Sequence, residues 1–187
     1  FASIKGLSSS PNMAEKIGLE RDTALINNLN IRYHADQITT KTGLDVLRHA
    51  KKTNSRITAG TSVHHLLFNE LDIGNYRTFF KLKPPLRSNI DREALIEAIR
   101  EGLIDNICSM HTPQDEESKR LPFEEAAPGA VGLETILQAT LSLYHNKVLG
   151  LNQIFRLLAL NPAKIIKTNL GSLDEGRPAD IIIFDPD

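Results

Sequence analysis

Ile31-Arg32-Tyr33-His34-Ala35-Asp36-Gln37-Ile38 alternates in the manner of a short strand, and Thr39-Thr40 follows at once in a position to cap a helix. Leu44, Val46, Leu47 and Ala50 give that helix an apolar stripe, and Lys51-Lys52 suit its carboxyl-terminal end, where the helix dipole favours cations. Arg56-Ile57-Thr58-Ala59 then reads as a second strand. A strand, a helix and a strand in this order form a crossover unit, and crossovers are what parallel neighbours require. The spacing therefore predicts an α/β chain built on a parallel sheet.

The same alternation extends in both directions. Upstream, a Gly/Ser-rich entry gives way to a helix for which Ser10 is the expected cap, Pro11 the first helical residue, and Met13, Ile17, Ala24 and Leu25 the apolar face. Downstream, Lys81-Leu82-Lys83-Pro84-Pro85-Leu86-Arg87 reads as an extended, pinned loop, because two prolines forbid helix. An amphipathic helix is predicted over residues 91–101, with Leu95, Ile96 and Ile99 inside and Gly102 ending it. Ile104-Asp105-Asn106-Ile107-Cys108 supplies a third strand. Helices are expected near residues 132–144, 151–159 and 162–167, and the tail over residues 171–186 reads as a hairpin-like turn followed by a buried strand. Three such units are too few to close an eight-stranded barrel.

Bulk composition excludes more than it identifies. A 24% charged content with a net charge of −1 carries no polyelectrolyte signature, so nucleic acid is not an expected partner. No apolar run reaches the roughly 20 residues that span a bilayer, so no membrane association is expected and a cytoplasmic address follows by default. A single cysteine, Cys108, excludes an internal disulfide and a Cys-cluster metal site, in keeping with a reducing compartment. The chain begins at Phe1 rather than Met, as a processed chain or part of a longer one would.

The chemistry lies in the residues after the third strand, Cys108-Ser109-Met110-His111-Thr112-Pro113-Gln114, and in Lys119-Arg120-Leu121-Pro122-Phe123 beyond them. Together with Tyr33-His34, Ile38-Thr39-Thr40, His64-His65-Leu66, Lys83-Pro84-Pro85-Leu86-Arg87, Pro128-Gly129, Gly132-Leu133-Glu134-Thr135, Asn161-Pro162-Ala163-Lys164 and the closing 179–186 segment, they resemble, in order, the later motifs of the dihydroorotases of the amidohydrolase superfamily. The resemblance implies the carboxyl-terminal half of a TIM-type (β/α) barrel over residues 1–168, with residues 169–187 returning to a small β-sandwich. It also implies that a His-x-His pair, a bridging carboxylate and a further His belong upstream of the region represented here.

Residue by residue, the resemblance implies a degenerate site. Met110 stands where the family keeps an Asp that binds metal and shuttles the proton of the attacking water. A thioether has no titratable proton and is a poor ligand for zinc at a hydrolytic site. Gln37 stands where the sixth-strand metal-binding His belongs, and an amide oxygen cannot replace an imidazole there without a large loss of affinity. No catalytic or metal-binding residue of the motif is thus intact. Lys83, Gln114, Pro128 and Gly129 match the family's substrate-contacting positions, Lys83 replacing an Asn. His34 is not an obvious substitute ligand. His111 is kept from the motif and reads as a local hydrogen-bonding residue. His64 and His65 are expected to diverge on an extended segment, so they should not share a metal.

Two functional readings follow from the resemblance. In the first, the chain is a catalytically silent dihydroorotase-like protein of pyrimidine biosynthesis, binding no cofactor and serving as a structural partner of aspartate carbamoyltransferase. In the second, it is an active dihydroorotase or related cyclic-amide hydrolase that uses zinc, its missing ligands lying upstream. A third is a degenerate gene product with no selected role. A homo-oligomer, or completion by an upstream half, is expected in either of the first two, because a slice of barrel leaves sheet edges uncovered.

Overall fold

The computed structural model describes residues 8–186. Three strands, β1 (Tyr33–Ala35), β2 (Ile57–Ser62) and β3 (Asn106–Cys108), form one parallel sheet in the order β1-β2-β3. Tyr33 lies opposite Ile57 and Ala35 opposite Ala59, while Gly60 lies opposite Asn106 and Ser62 opposite Cys108. Eight α-helices accompany them among the described residues: α1 (Asn12–Leu29), α2 (Lys41–Thr53), α3 (Val63–Leu67), α4 (Asn89–Arg100), α5 (Glu116–Arg120), α6 (Ile136–His145), α7 (Leu151–Phe155) and α8 (Asn161–Ile166). A π-helical stretch, Arg156–Leu160, joins α7 to α8. The strands and the crossover helices α2 and α4 stand where alternation and capping place them.

The core lies where those helices pack on the sheet. Leu44, Leu47 and Ala50 of α2 and Leu95, Ala98 and Ile99 of α4 are buried with Ala35, Ile57, Ala59 and Ile107 of the strands. Truncating Leu44 or Leu47 to Ala would cost about 2–5 kcal/mol, the usual range for emptying a packed core position. The α2 cap forms as expected, Thr40 Oγ1 accepting from Gly43 N at 3.0 Å. It is reinforced from α1, whose Glu15 carboxylate accepts from the backbone N–H and the hydroxyl of both Thr39 and Thr40 at 2.5 to 3.1 Å. Ser88 Oγ caps α4 by accepting from Asp91 N, and Gly102 beyond its end has φ of +75°.

Several expectations are corrected. The first helix buries Leu19, Thr23 and Ile26, whereas Met13, Ile17 and Leu25 are more than half exposed. Apolar residues stand all round α1, so periodicity alone could not choose the face that packs on α2. Pro11 rather than Ser10 occupies its N-cap, without a side-chain cap. Helix α6 starts at Ile136 instead of near residue 132, and Gly132 lies so close to Ser109 that a Cβ there would collide with its carbonyl oxygen. The tail forms no strand over residues 181–186: Ile181, Ile182 and Ile183 are exposed, Ile183 at 97%. Phe184 packs on Phe155 with ring centroids 5.7 Å apart. Apolar content made this segment read as a strand, but a strand needs a sheet edge, and the tail lies against the helices.

Candidate functional site

In a parallel α/β sheet the chemistry sits beyond the carboxyl ends of the strands, and the sequence-predicted site residues do gather there. Gln37 is the second residue after β1 and Met110 the second after β3. Both take the left-handed backbone conformation, with φ of 55° and 47°, which a non-glycine residue adopts only where its surroundings impose it. Gln37 N donates to Asp36 Oδ1 at 2.9 Å, an arrangement that steadies this turn. Met110 is 8% exposed and packs as an apolar side chain.

Gln37, Lys83 and Pro128 line one cavity of about 1120 Å³, together with Phe80 and Phe123. Met110, Gln114 and Gly129 are not on its walls. Gly129 has φ of 143°, and a Cβ there would meet Thr112 O and stand 3.2 Å from Gln114 Nε2, so the close approach at this glycine is made by its own chain. Gly129 N donates to Lys81 O at 2.8 Å, which fixes the Lys83 loop from one side.

His65 fixes it from the other. Its ring lies between Ser62 Oγ at 2.7 Å and the Pro85 carbonyl at 3.1 Å. Nε2–H donates to that carbonyl, so Nδ1 accepts from the Ser62 hydroxyl. Burial of the ring pushes its pKa down to about 4, with His64 and Arg87 nearby opposing protonation further. The expectation placed the two histidines on an extended segment, whereas they stand on the short helix α3. His64 is also lowered by burial, with the Met110 carbonyl opposing that shift, and its Nε2 has no hydrogen-bond partner among the described residues. His111 is exposed, and its Nδ1 accepts from Gly132 N and Leu133 N at 3.3 and 3.2 Å, tying the strand mouth to the loop before α6.

Sequence reading missed the group facing away from the helices. His34 Nδ1 lies 2.9 Å from Thr58 Oγ1, and its Nε2 is 4.0 Å from Asp36 Oδ1, which is also 4.0 Å from Cys108 Sγ. Burial and the Asp36 carboxylate push the Cys108 thiol up to about 11, so it is held as a neutral thiol. The period-two spacing of residues 34 and 36, with 108 ending the strand two places across the sheet, was the signal that could have found it. Among the described residues, no three His, Cys, Asp or Glu side chains converge as metal ligands. The donors this chain brings to the two family ligand positions, an amide and a buried thioether, do not fit zinc. What the mouth can do is present an exposed ammonium, Lys83, and an amide, Gln37, to a polar or anionic ligand, without an acid or base at the Met110 position.

The amidohydrolase family matches this chain over residues 5–187. The chain is 38% identical over 181 residues to the dihydroorotase of Ehrlichia canis, covering 96% of this chain and 40% of that protein. It is 39% identical over 186 residues to the dihydroorotase of Listeria innocua, covering 99% of this chain and 44% of that protein. The chain thus spans about two fifths of the length of these relatives. Among solved structures, L-hydantoinase (dihydropyrimidinase) from Arthrobacter aurescens superposes with a TM-score of 0.84 at 26% identity, over 91% of this chain and 39% of that one. D-hydantoinase (dihydropyrimidinase) from a Thermus species superposes with a TM-score of 0.81 at 22% identity, over 90% and 39%, a likeness of fold alone. These likenesses make the fold an α/β one of TIM-barrel type.

Proposed function

Because this chain belongs to the amidohydrolase family, as a dihydroorotase-like member of it, we propose that it is a protein of pyrimidine biosynthesis that does not hydrolyse dihydroorotate and acts as a structural partner of aspartate carbamoyltransferase. In this reading residues 1–168 are part of a (β/α) barrel, residues 169–187 return to a β-sandwich only where strands from outside this region supply the sheet edge that the tail lacks here, the protein is cytoplasmic, and no zinc is held at this site. The observation that carries the reading is the pair at the strand mouths, where Met110 is a buried thioether and Gln37 an amide. General acid-base help of the kind a carboxylate gives at the Met110 position typically contributes about 10²- to 10⁴-fold, and a thioether there cannot give it. The test is co-purification with aspartate carbamoyltransferase, scored alongside dihydroorotate and carbamoyl-aspartate interconversion in the presence of added zinc.

A second reading is favoured by one specific observation, the ordered structure that supports the site. The left-handed turns at Gln37 and Met110, the His65 hold on the Lys83 loop and the Gly129 approach are all formed. In that reading the protein is an active dihydroorotase or related cyclic-amide hydrolase, zinc being held by residues outside this region. Zinc-dependent turnover by the unmodified protein would decide for it.

A further inference from the structure

A second cavity, of about 510 Å³, shares no residue with the one at the strand mouths and is formed entirely within residues 160–177. Its walls begin at Leu160, the last residue of the π-helical stretch, and run along α8 to the chain that returns over it. That return is close. A Cβ built on Gly171, whose φ is +75°, would stand 2.6 Å from the Ala159 carbonyl oxygen, so glycine is what lets the chain cross the π-helical turn here. Turns of this kind are rare and recur at functional sites. Three cations line the cavity, Lys164, Lys167 and Arg177, and among the described residues none of them is paired with a carboxylate. Arg177 Nη1 donates only to an amide, Asn169 Oδ1, at 3.4 Å. A single carboxylate, Asp174, reaches the described wall, and its Oδ2 accepts from the Ser172 hydroxyl at 2.9 Å. The carboxyl end of a helix ordinarily repels anions, but at this one the carbonyls are answered internally. Ala163 O accepts from Thr168 N at 2.9 Å, Lys164 O from Lys167 N at 3.3 Å, and Ile165 O from Arg32 Nη2 at 2.9 Å. Arg32 thereby brings a fourth cation to the same helix end. Charges of one sign gathered round a concavity repel one another and concentrate counter-ions there.

We propose that this cavity binds a small anion bearing two or more phosphate groups, held by Lys164, Lys167 and Arg177. The site is separate from the strand mouths, so it stands whether or not the protein hydrolyses dihydroorotate. Phosphate fits these residues because a guanidinium fork and two ammonium groups supply many donors and several charges to a compact cluster of oxygens. Two or more phosphate groups are needed to answer three cations. A small molecule is favoured over an acidic protein segment because the cations bound a concavity of ligand size and do not lie along an open face. Asp174, kept aside by Ser172, is the one wall group that opposes the ligand.

The test is calorimetric titration of the intact protein with inorganic pyrophosphate, with ATP and with an oligoglutamate peptide, at low ionic strength so that screening does not hide the effect. Saturable binding of one pyrophosphate or one ATP per chain is expected, with amide NMR shifts confined to residues 160–177. Tighter binding of ATP would mark the ligand as an organic phosphate, and tighter binding of pyrophosphate as a free one. Replacing Lys164, Lys167 and Arg177 together by Ala should weaken binding at least tenfold. Arg177→Lys should weaken it about threefold, because the charge is kept and the fork is lost. Asp174→Asn should tighten it. Lys52→Ala, an exposed cation at the end of α2, should leave it unchanged. The three cationic side chains are exposed, so their removal should spare the fold, and thermal melts check this. Arg177→Glu, expected to weaken binding at least tenfold, carries the test alone if the triple variant unfolds. No saturable binding of either phosphate probe, binding indifferent to these substitutions or equally weakened by Lys52→Ala, or binding of the peptide alone would each overturn the proposal.

Discussion

Gln37 and Met110, each the second residue beyond its strand, close β1 and β3 in the same left-handed backbone conformation. The two turns present whatever side chain occupies them at the mouth of the sheet. What this mouth can offer a ligand is therefore set by those two side chains, an amide and a buried thioether.

A non-glycine residue in the left-handed region carries about 1–2 kcal/mol of conformational strain. Gln37→Gly should relieve it and raise thermal stability by up to about 1 kcal/mol, offset in part by the greater freedom of glycine in the unfolded chain. Chemical denaturation of the variant checks this, and a drop in stability would show that the Gln37 side chain holds the turn.

Glu15 joins α1 to α2 through four donors, two of them backbone N–H groups at the start of α2. Glu15→Ala should cost about 2–3 kcal/mol, since hydrogen bonds to a charged partner are the strong ones and the donors it leaves are partly buried. Gly43→Ala should also destabilise despite the better helix propensity of Ala, because its Cβ would displace the Glu15 carboxylate. Asp45→Ala, on the exposed side of α2, should change stability by less than about 0.5 kcal/mol.

His65 makes the fold acid-sensitive. Its pKa falls from an ordinary 6.5 to about 4 on folding, so between those values the unfolded chain binds the extra proton. The stabilisation is fully present above pH 6.5 and is lost as pH falls from there toward 4, amounting to roughly 3 kcal/mol over the window. His34 and His64, also lowered by burial, act in the same direction. Urea midpoints measured from pH 7 to pH 4 should fall less steeply for His65→Gln than for the unmodified chain, and equal slopes would remove His65 from the effect.

The β-α-β alternation was legible because the α2 and β2 patterns are each one-sided: Thr40 caps, Leu44, Leu47 and Ala50 face inward, and Ile57 and Ala59 alternate. The packed face of α1 was not, since Met13, Ile17 and Leu25 compete with Leu19 and Ile26 and only tertiary contact decides. Tail residues 181–183 misled because apolar content signals burial only when a partner edge is near. At the site, Gln37 and Met110 stood out by chemical type. The roles of His65 and Glu15 depend on partners 20 or more residues away, which spacing does not reveal.

Restoring one family residue at a time should not create an enzyme. If the chain is a silent partner, Met110→Ala should leave turnover undetectable, because a thioether carries no transferable proton. Met110→Asp alone supplies a carboxylate but still lacks an imidazole at position 37. Only Met110→Asp with Gln37→His, in a protein that contains the upstream motifs, is expected to gain zinc binding by elemental analysis and measurable turnover. Activity in Met110→Asp alone would show that the Gln37 position is dispensable.

The most direct test is interconversion of dihydroorotate and carbamoyl-aspartate by the unmodified protein with added zinc. The silent-partner account predicts no turnover above the protein-free rate and no stoichiometric zinc. Robust metal-dependent turnover, abolished by substituting Lys83 or His111, would contradict it and establish the chain as part of a working hydrolase.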